Sequence, residues 1–166
     1  MAGPLLRVEG LTVRFGGLVA VNDVHFTVDA GELLGIIGPN GAGKTTMFNA
    51  VAGAVRPTSG TIRIGDELVS GKPPERVARL GIARTFQSVR LFKAMTVAEN
   101  VTLSASTVCP SMAAARARAD EVAELLGMTA LQQIRVEELP LADQKKVEIA
   151  RALMARPKLL LLDEPS

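Results

Sequence analysis

The 166-residue sequence predicts an α/β fold, a P-loop core with a parallel sheet, an antiparallel β part and a helical insert. Three observations carry that expectation. First, an apolar run, Leu33-Leu34-Gly35-Ile36-Ile37, leads into Gly38-Pro39-Asn40-Gly41-Ala42-Gly43-Lys44-Thr45-Thr46, and a helical pattern follows from Met47 to Ala52. Strand, glycine loop and helix are the context in which G-x-x-x-x-G-K-[ST] cradles phosphate. Second, Leu159-Leu160-Leu161-Leu162 reads as a fully buried strand ending in an acidic pair, Asp163-Glu164. Third, the texture turns helical from Thr96 onward.

Taken in order, Leu5 to Phe15 alternates roughly at period two and reads as a strand that Gly16-Gly17 breaks. Val21 to Val28 alternates again, with Val24, Phe26 and Val28 on one face. Asp29-Ala30-Gly31 makes a turn before the apolar run. After the P-loop helix, Arg56 to Gly60 is a turn, and Thr61 to Val69 reads as a hairpin around Gly65-Asp66. Pro73-Pro74 opens a short helix from Glu75 to Leu80, and Ile82 to Phe86 is a brief strand ending at Gln87. Val97 starts a helix. Met112 to Leu126 is a longer one stopped by Gly127, and its Ala/Arg run reads as a solvated face in preference to a basic membrane-surface helix. Gln144 to Ala155 is a further helix, burying Val147, Ala150, Leu153 and Met154. These elements are expected to group as 1–87, a P-loop core with its antiparallel part; 88–137, a helical subdomain; and 138–166, a loop, helix and terminal strand.

The chemistry lies in two places. Glycines let successive backbone N–H groups curl around phosphate oxygens, where side chains would obstruct. The new helix turns its positive dipole end to the same anion. Lys44 reaches the β- and γ-phosphates, and the Thr45 hydroxyl is placed to ligate Mg²⁺. At the end of the Leu159–Leu162 strand, Asp163 would hold Mg²⁺ through water and Glu164 would orient and polarise the attacking water. Ligands of α/β sheets gather at such C-terminal strand tips.

Composition narrows the partners. Apolar residues make up 48% of the chain and charged residues 22%, which is globular. Net charge is +2, and a pI near 9.0 without a basic cluster does not make a nucleic-acid binder. There is no Trp or Tyr, and the five Phe offer few base-stacking platforms. Cys109 is the single cysteine, so no internal disulfide forms and a reducing compartment is expected. The N-terminus lacks the basic and apolar regions of a signal peptide, and no apolar run approaches the ~20 residues of a membrane span. His25 reads as structural or exposed. Guanine-reading Asn-Lys-x-Asp motifs are absent, which disfavours a GTPase.

With these residues in view, the chain resembles the ATP-binding subunit of an ABC transporter along its whole length. Gly38 to Thr46 matches Walker A, Gln87 the Q-loop glutamine, and Leu159 to Glu164 with Pro165-Ser166 the Walker B segment. Phe15 stands where the family places an aromatic residue that stacks on adenine; as a plain strand residue it needs no such role. Arg14 to Leu18, Gly81 to Gln87, Val89 to Phe92, Met95 to Asn100 and Val147 to Arg151 are similar to the branch serving branched-chain amino acid (and urea or amide) importers. The resemblance implies ATP and Mg²⁺ as cofactors. It implies Lys44, Gln87 and Glu164 in catalysis, and Thr45, Gln87 and Asp163 at the metal. The nucleotide would meet Phe15 and the loop residues Gly38, Pro39, Asn40, Gly41, Ala42, Gly43, Lys44, Thr45 and Thr46. A second ATP-binding subunit and transmembrane permease subunits are the implied partners, with the chain peripheral to the cytoplasmic face of the membrane.

Two departures from the family pattern stand out. The signature, usually LSGGQ, falls at Leu139-Pro140-Leu141-Ala142-Asp143. Pro140 offers neither hydroxyl nor N–H, and Ala142 adds a methyl where a partner's γ-phosphate approaches; a shifted register would soften both effects. The chain also stops at Ser166, before the D-loop and switch histidine, so the sequence reads as a cassette lacking its C-terminal part. The expectation is an importer subunit that binds ATP and, as this chain alone, hydrolyses it poorly. The competing expectation is a soluble or export-type ABC ATPase in repair, translation or export of another solute.

Overall fold

The computed structural model describes residues 3–85, 91–105 and 108–163. The chain divides into two compact units, Met1–Ile82 and Ala83–Ser166.

The first unit is built on a four-stranded antiparallel sheet of order β2-β1-β3-β4. Its strands are β1 (Leu6–Phe15), β2 (Leu18–Val28), β3 (Ser59–Ile64) and β4 (Glu67–Leu68). The loose alternation of β1 has a structural cause. Leu6 and Val8 are buried, then Leu11 and Val13, with an extra residue between the two pairs. Gly10 sits there at φ +62, where the pairing with β2 shifts register. One inserted residue turns the next side chains to the opposite parity and keeps one apolar face in the core. β3 and β4 form the expected hairpin, pairing Arg63 with Leu68 and Ile64 with Glu67 around the Gly65-Asp66 turn.

Helix α1 (Lys44–Val51) follows the P-loop and buries Met47, Ala50 and Val51, the i, i+3, i+4 stripe of an amphipathic helix. Helix α2 (Pro74–Arg79) opens with Pro at its first turn, where a missing N–H costs nothing.

One expectation fails in this unit. The apolar run 33–37 is not a buried strand. Residues 32–39 form no regular element, and Leu33 and Ile37 are 93% and 96% exposed. Among the described residues no strand pairs with this run. Apolar composition supplies a strand's propensity but not its ladder, and without a neighbour the backbone N–H and C=O groups turn to water.

The second unit is mainly helical. Its helices are α3 (Val97–Ser104), α4 (Met112–Leu125) and α5 (Leu141–Leu153). They pack around Val97, Val101, Ala115, Ala119, Val122, Met128, Val136, Val147 and Met154. Small alanines on α4 face inward, so the Ala/Arg run is a core helix with a charged outer side. A capping box starts α3: Thr96 accepts from the Glu99 N–H, and Glu99 accepts from the Thr96 N–H. Strands β5 (Ile82–Arg84) and β6 (Leu159–Leu161) pair as a two-stranded sheet. β6 is shorter and less buried than its leucine run suggested. Leu159 and Leu160 are half-buried and Leu161 is buried, because one paired neighbour covers one edge only.

Candidate nucleotide site

The P-loop belongs to the first unit and is shaped by its backbone. Gly41 and Gly43 both take the left-handed region, at φ +83 and +85, while Ala42 between them does not. Alternating hand along consecutive residues turns their N–H groups toward one side, an anion-binding concavity. Gly43 is also the N-cap of α1, and a Cβ there would collide with the Ala20 carbonyl oxygen on β2. Glycine at 43 is thus required twice, by conformation and by space. The first turn of α1 carries no acidic residue and no side chain caps it, so its N-terminal N–H groups keep their affinity for an anion.

Lys44 folds back across the loop. Its Nζ donates to the Gly38 carbonyl at 2.7 Å and the Pro39 carbonyl at 2.9 Å. Those bonds hold the ammonium over the loop that would receive phosphate, and a phosphate can replace them without desolvating the lysine again. Ala42 N–H donates to Pro39 O at 3.2 Å and tightens the turn. Thr45 and Thr46 lie half-buried in the first turn of α1. Phe15 closes β1 with half of its surface exposed, an open aromatic face at the edge of this unit.

Asp163 belongs to the second unit and is held in the opposite manner. Its side chain is 4% exposed, and Arg84 Nη2 donates to Oδ2 at 2.8 Å. The backbone is fixed too. Thr85 N–H donates to the Leu161 carbonyl at 3.0 Å, and Asp163 N–H donates to Thr85 Oγ1 at 3.4 Å. Asp163 is thus locked to the residues at the end of β5. Sequence reasoning assigned Arg84 and Thr85 no role; the available signal was a cation and a hydroxyl at the tip of one short strand and a carboxylate at the tip of another.

Gln87 and Glu164 lie outside the described residues. The described part of the segment after Gln87 is anchored by Asn100, which is fully buried in α3. Its Oδ1 accepts from Phe92 N–H at 2.9 Å, and its Nδ2 donates to the Phe92 and Thr96 carbonyls, both at 3.0 Å. Arg151 of α5 lies over the Phe92 ring, 5.5 Å from its centroid. The departing signature also has a clear structure. Pro140 is the N-cap of α5 and Leu141, its first residue, is exposed. No side chain caps this helix start, and Asp143 pairs with Lys146 at 2.8 Å.

The model of the ABC transporter family matches residues 21–166. The chain belongs to that family. It is 42% identical over its full length to the high-affinity branched-chain amino acid transport ATP-binding protein LivG of Escherichia coli, covering 71% of that protein. BraF of Pseudomonas aeruginosa, of the same description, is 41% identical at the same coverage. Among solved structures, a nucleotide-free ATP-binding cassette from an ABC transporter superposes at TM-score 0.87 with 30% identity, over 99% of this chain and 70% of that one. The fold is therefore that of a P-loop ATPase cassette, with strands and helices mixed as the sequence led us to expect. The donors on the site residues, a threonine hydroxyl and an aspartate, are hard oxygens of the kind Mg²⁺ takes. The uncapped helix start and the lysine folded over the loop fit a triphosphate.

Proposed function

We propose that this chain is the ATP-binding subunit of an importer for branched-chain amino acids or similar solutes. The observation that carries the reading is the left-handed Gly43 with Lys44 folded over the loop, in a chain 42% identical to LivG. ATP would lie with its phosphates on backbone N–H groups of the 38–46 loop other than Pro39, the β- and γ-phosphates on Lys44, and adenine on Phe15. Thr45 and Asp163 would hold Mg²⁺, with Gln87 as a further ligand and Glu164 positioning water. When bound, Mg²⁺ neutralises the charge of the β- and γ-phosphates. The chain's own contribution would be positioning: fixed dipoles at the loop, one lysine folded over it and one aspartate held by Arg84.

Partners follow from the same reading. A second ATP-binding subunit supplies the signature that covers this chain's nucleotide, and permease subunits take up the motion at the cytoplasmic face of the membrane. Among the described residues no helix is long and apolar enough to cross a membrane, which suits a peripheral subunit. Pro140 has no N–H to offer, no side chain caps the start of α5, and Ala142 adds a methyl where the family signature has a glycine. We therefore assign this chain a weak signature: it binds ATP well and contributes poorly to hydrolysis on a partner.

Replacing Lys44 by Ala in the source organism tests the solute. Uptake of radiolabelled leucine, isoleucine and valine is expected to fall to background while uptake of unrelated sugars is unchanged. Normal leucine uptake in that strain contradicts the assignment. Turnover of the purified chain is expected to be low, and ordinary ATPase rates that vanish in Lys44→Ala contradict the weak-signature reading.

A further inference from the structure

We infer that Arg84 is a positioning residue for Asp163, setting how the aspartate meets the nucleotide's Mg²⁺. The inference rests on the proposed role of Asp163 at that metal. It comes from one juxtaposition: a guanidinium and a carboxylate 79 positions apart, joined at 2.8 Å with side chains 11% and 4% exposed.

A carboxylate that buried is costly unless a counter-charge and directed hydrogen bonds accompany it. Arg84 supplies the charge through a planar, delocalised group whose N–H directions are fixed. Only Oδ2 is used in the bond to Nη2. A carboxylate has about four lone-pair sites, so capacity remains for a metal-bound water. With Oδ2 held by Arg84 and the Asp163 N–H held by Thr85 Oγ1, both the χ angles and the backbone of Asp163 are constrained. Partners of this kind, one step removed from a metal, fix the orientation of its ligands.

The same placement could serve only to join β5 to β6. The two roles separate on metal dependence. In the structural role, loss of Arg84 lowers stability and leaves the Mg²⁺ dependence of the folded fraction unchanged. In the positioning role, the folded variant still binds nucleotide but needs more Mg²⁺. The positioning role also predicts non-additivity, because Arg84 acts through Asp163 and has nothing to act on once that carboxylate is gone.

The test uses the 166-residue chain and a fluorescent ATP analogue, with binding titrated against MgCl₂ and folding followed by circular dichroism and urea. Asp163→Asn is expected to raise the Mg²⁺ needed for half-maximal binding by about ten- to a hundredfold, and Arg84→Gln by about tenfold. Arg84→Lys, which keeps the charge without the fork, is expected to fall between wild type and Arg84→Gln. The double variant Arg84→Gln/Asp163→Asn is expected to match Asp163→Asn alone. A folded Arg84→Gln with wild-type Mg²⁺ dependence overturns the positioning role, and so do losses that add in the double variant. Should Arg84→Gln fail to fold, Arg84→Lys, which keeps the counter-charge, decides: a raised Mg²⁺ requirement in the folded protein supports the role and wild-type dependence overturns it. If Asp163→Asn itself keeps wild-type dependence, the assignment of Asp163 to the metal fails, and this inference with it.

Discussion

The P-loop and Asp163, in different units of the chain, are held by different means. The P-loop is held by backbone: two left-handed glycines, a helix start without a cap, and a lysine bonded to its own loop carbonyls. Asp163 is held by side chains: an arginine from β5 on its carboxylate and a threonine hydroxyl on its N–H. The difference governs what each can tolerate. A backbone cradle is broken by adding an atom, as at Gly43. A buried ion pair is broken by removing one, as at Arg84. It also governs what each exposes, since the loop presents donors to an incoming anion while Asp163 is enclosed until its partner gives way or shares it.

Substitutions can break the contrast, and the largest effect is expected at the ion pair. Arg84→Met leaves Asp163 buried without a counter-charge and is expected to cost about 3–5 kcal/mol of the second unit's stability in urea unfolding. Gly43→Ala adds a methyl against the Ala20 carbonyl in a left-handed conformation. Left-handed strain of about 1–2 kcal/mol and overpacking of about 1–3 kcal/mol are expected to act together, with loss of ATP binding. If Gly43→Ala binds ATP normally, the loop does not depend on its backbone in this way. Asn100→Ala sharpens the contrast within the second unit. It strands the part-buried Phe92 N–H, leaves a cavity where a fully buried side chain stood, and is expected to cost about 1–3 kcal/mol, read as a lower melting temperature. Thr96→Ala removes the cap of α3 and is expected to cost about 1 kcal/mol. Lys146→Ala breaks a half-exposed pair with Asp143 and is expected to change stability by less than about 0.5 kcal/mol.

The same contrast explains what was legible in the sequence. The P-loop is local, and its glycine spacing reports backbone conformation directly, so residues 38–46 are recognisable from the order of their residues alone. Helix boundaries are also legible where a signal is local: Pro74 at a first turn and Gly127 after α4, while the capping box behind the helix start at Val97 emerged only in the structure. The run 33–37 misleads because apolar composition says nothing about who sits alongside. Arg84 carries no visible role in the sequence, since its partner lies 79 residues away and only folding brings the two together. Asn100 is hidden for a related reason. An Asn early in a helix looks solvent-facing until the loop it bonds has wrapped over it.

That the P-loop is a working phosphate cradle is the central claim, and equilibrium binding of a fluorescent ATP analogue to the chain, with and without Lys44→Ala, addresses it most directly. Saturable binding that Lys44→Ala weakens by about a hundredfold, with unchanged circular dichroism, is the result expected when one preorganised donor to phosphate is removed. Equal binding by the two folded proteins, or none by either, would contradict it.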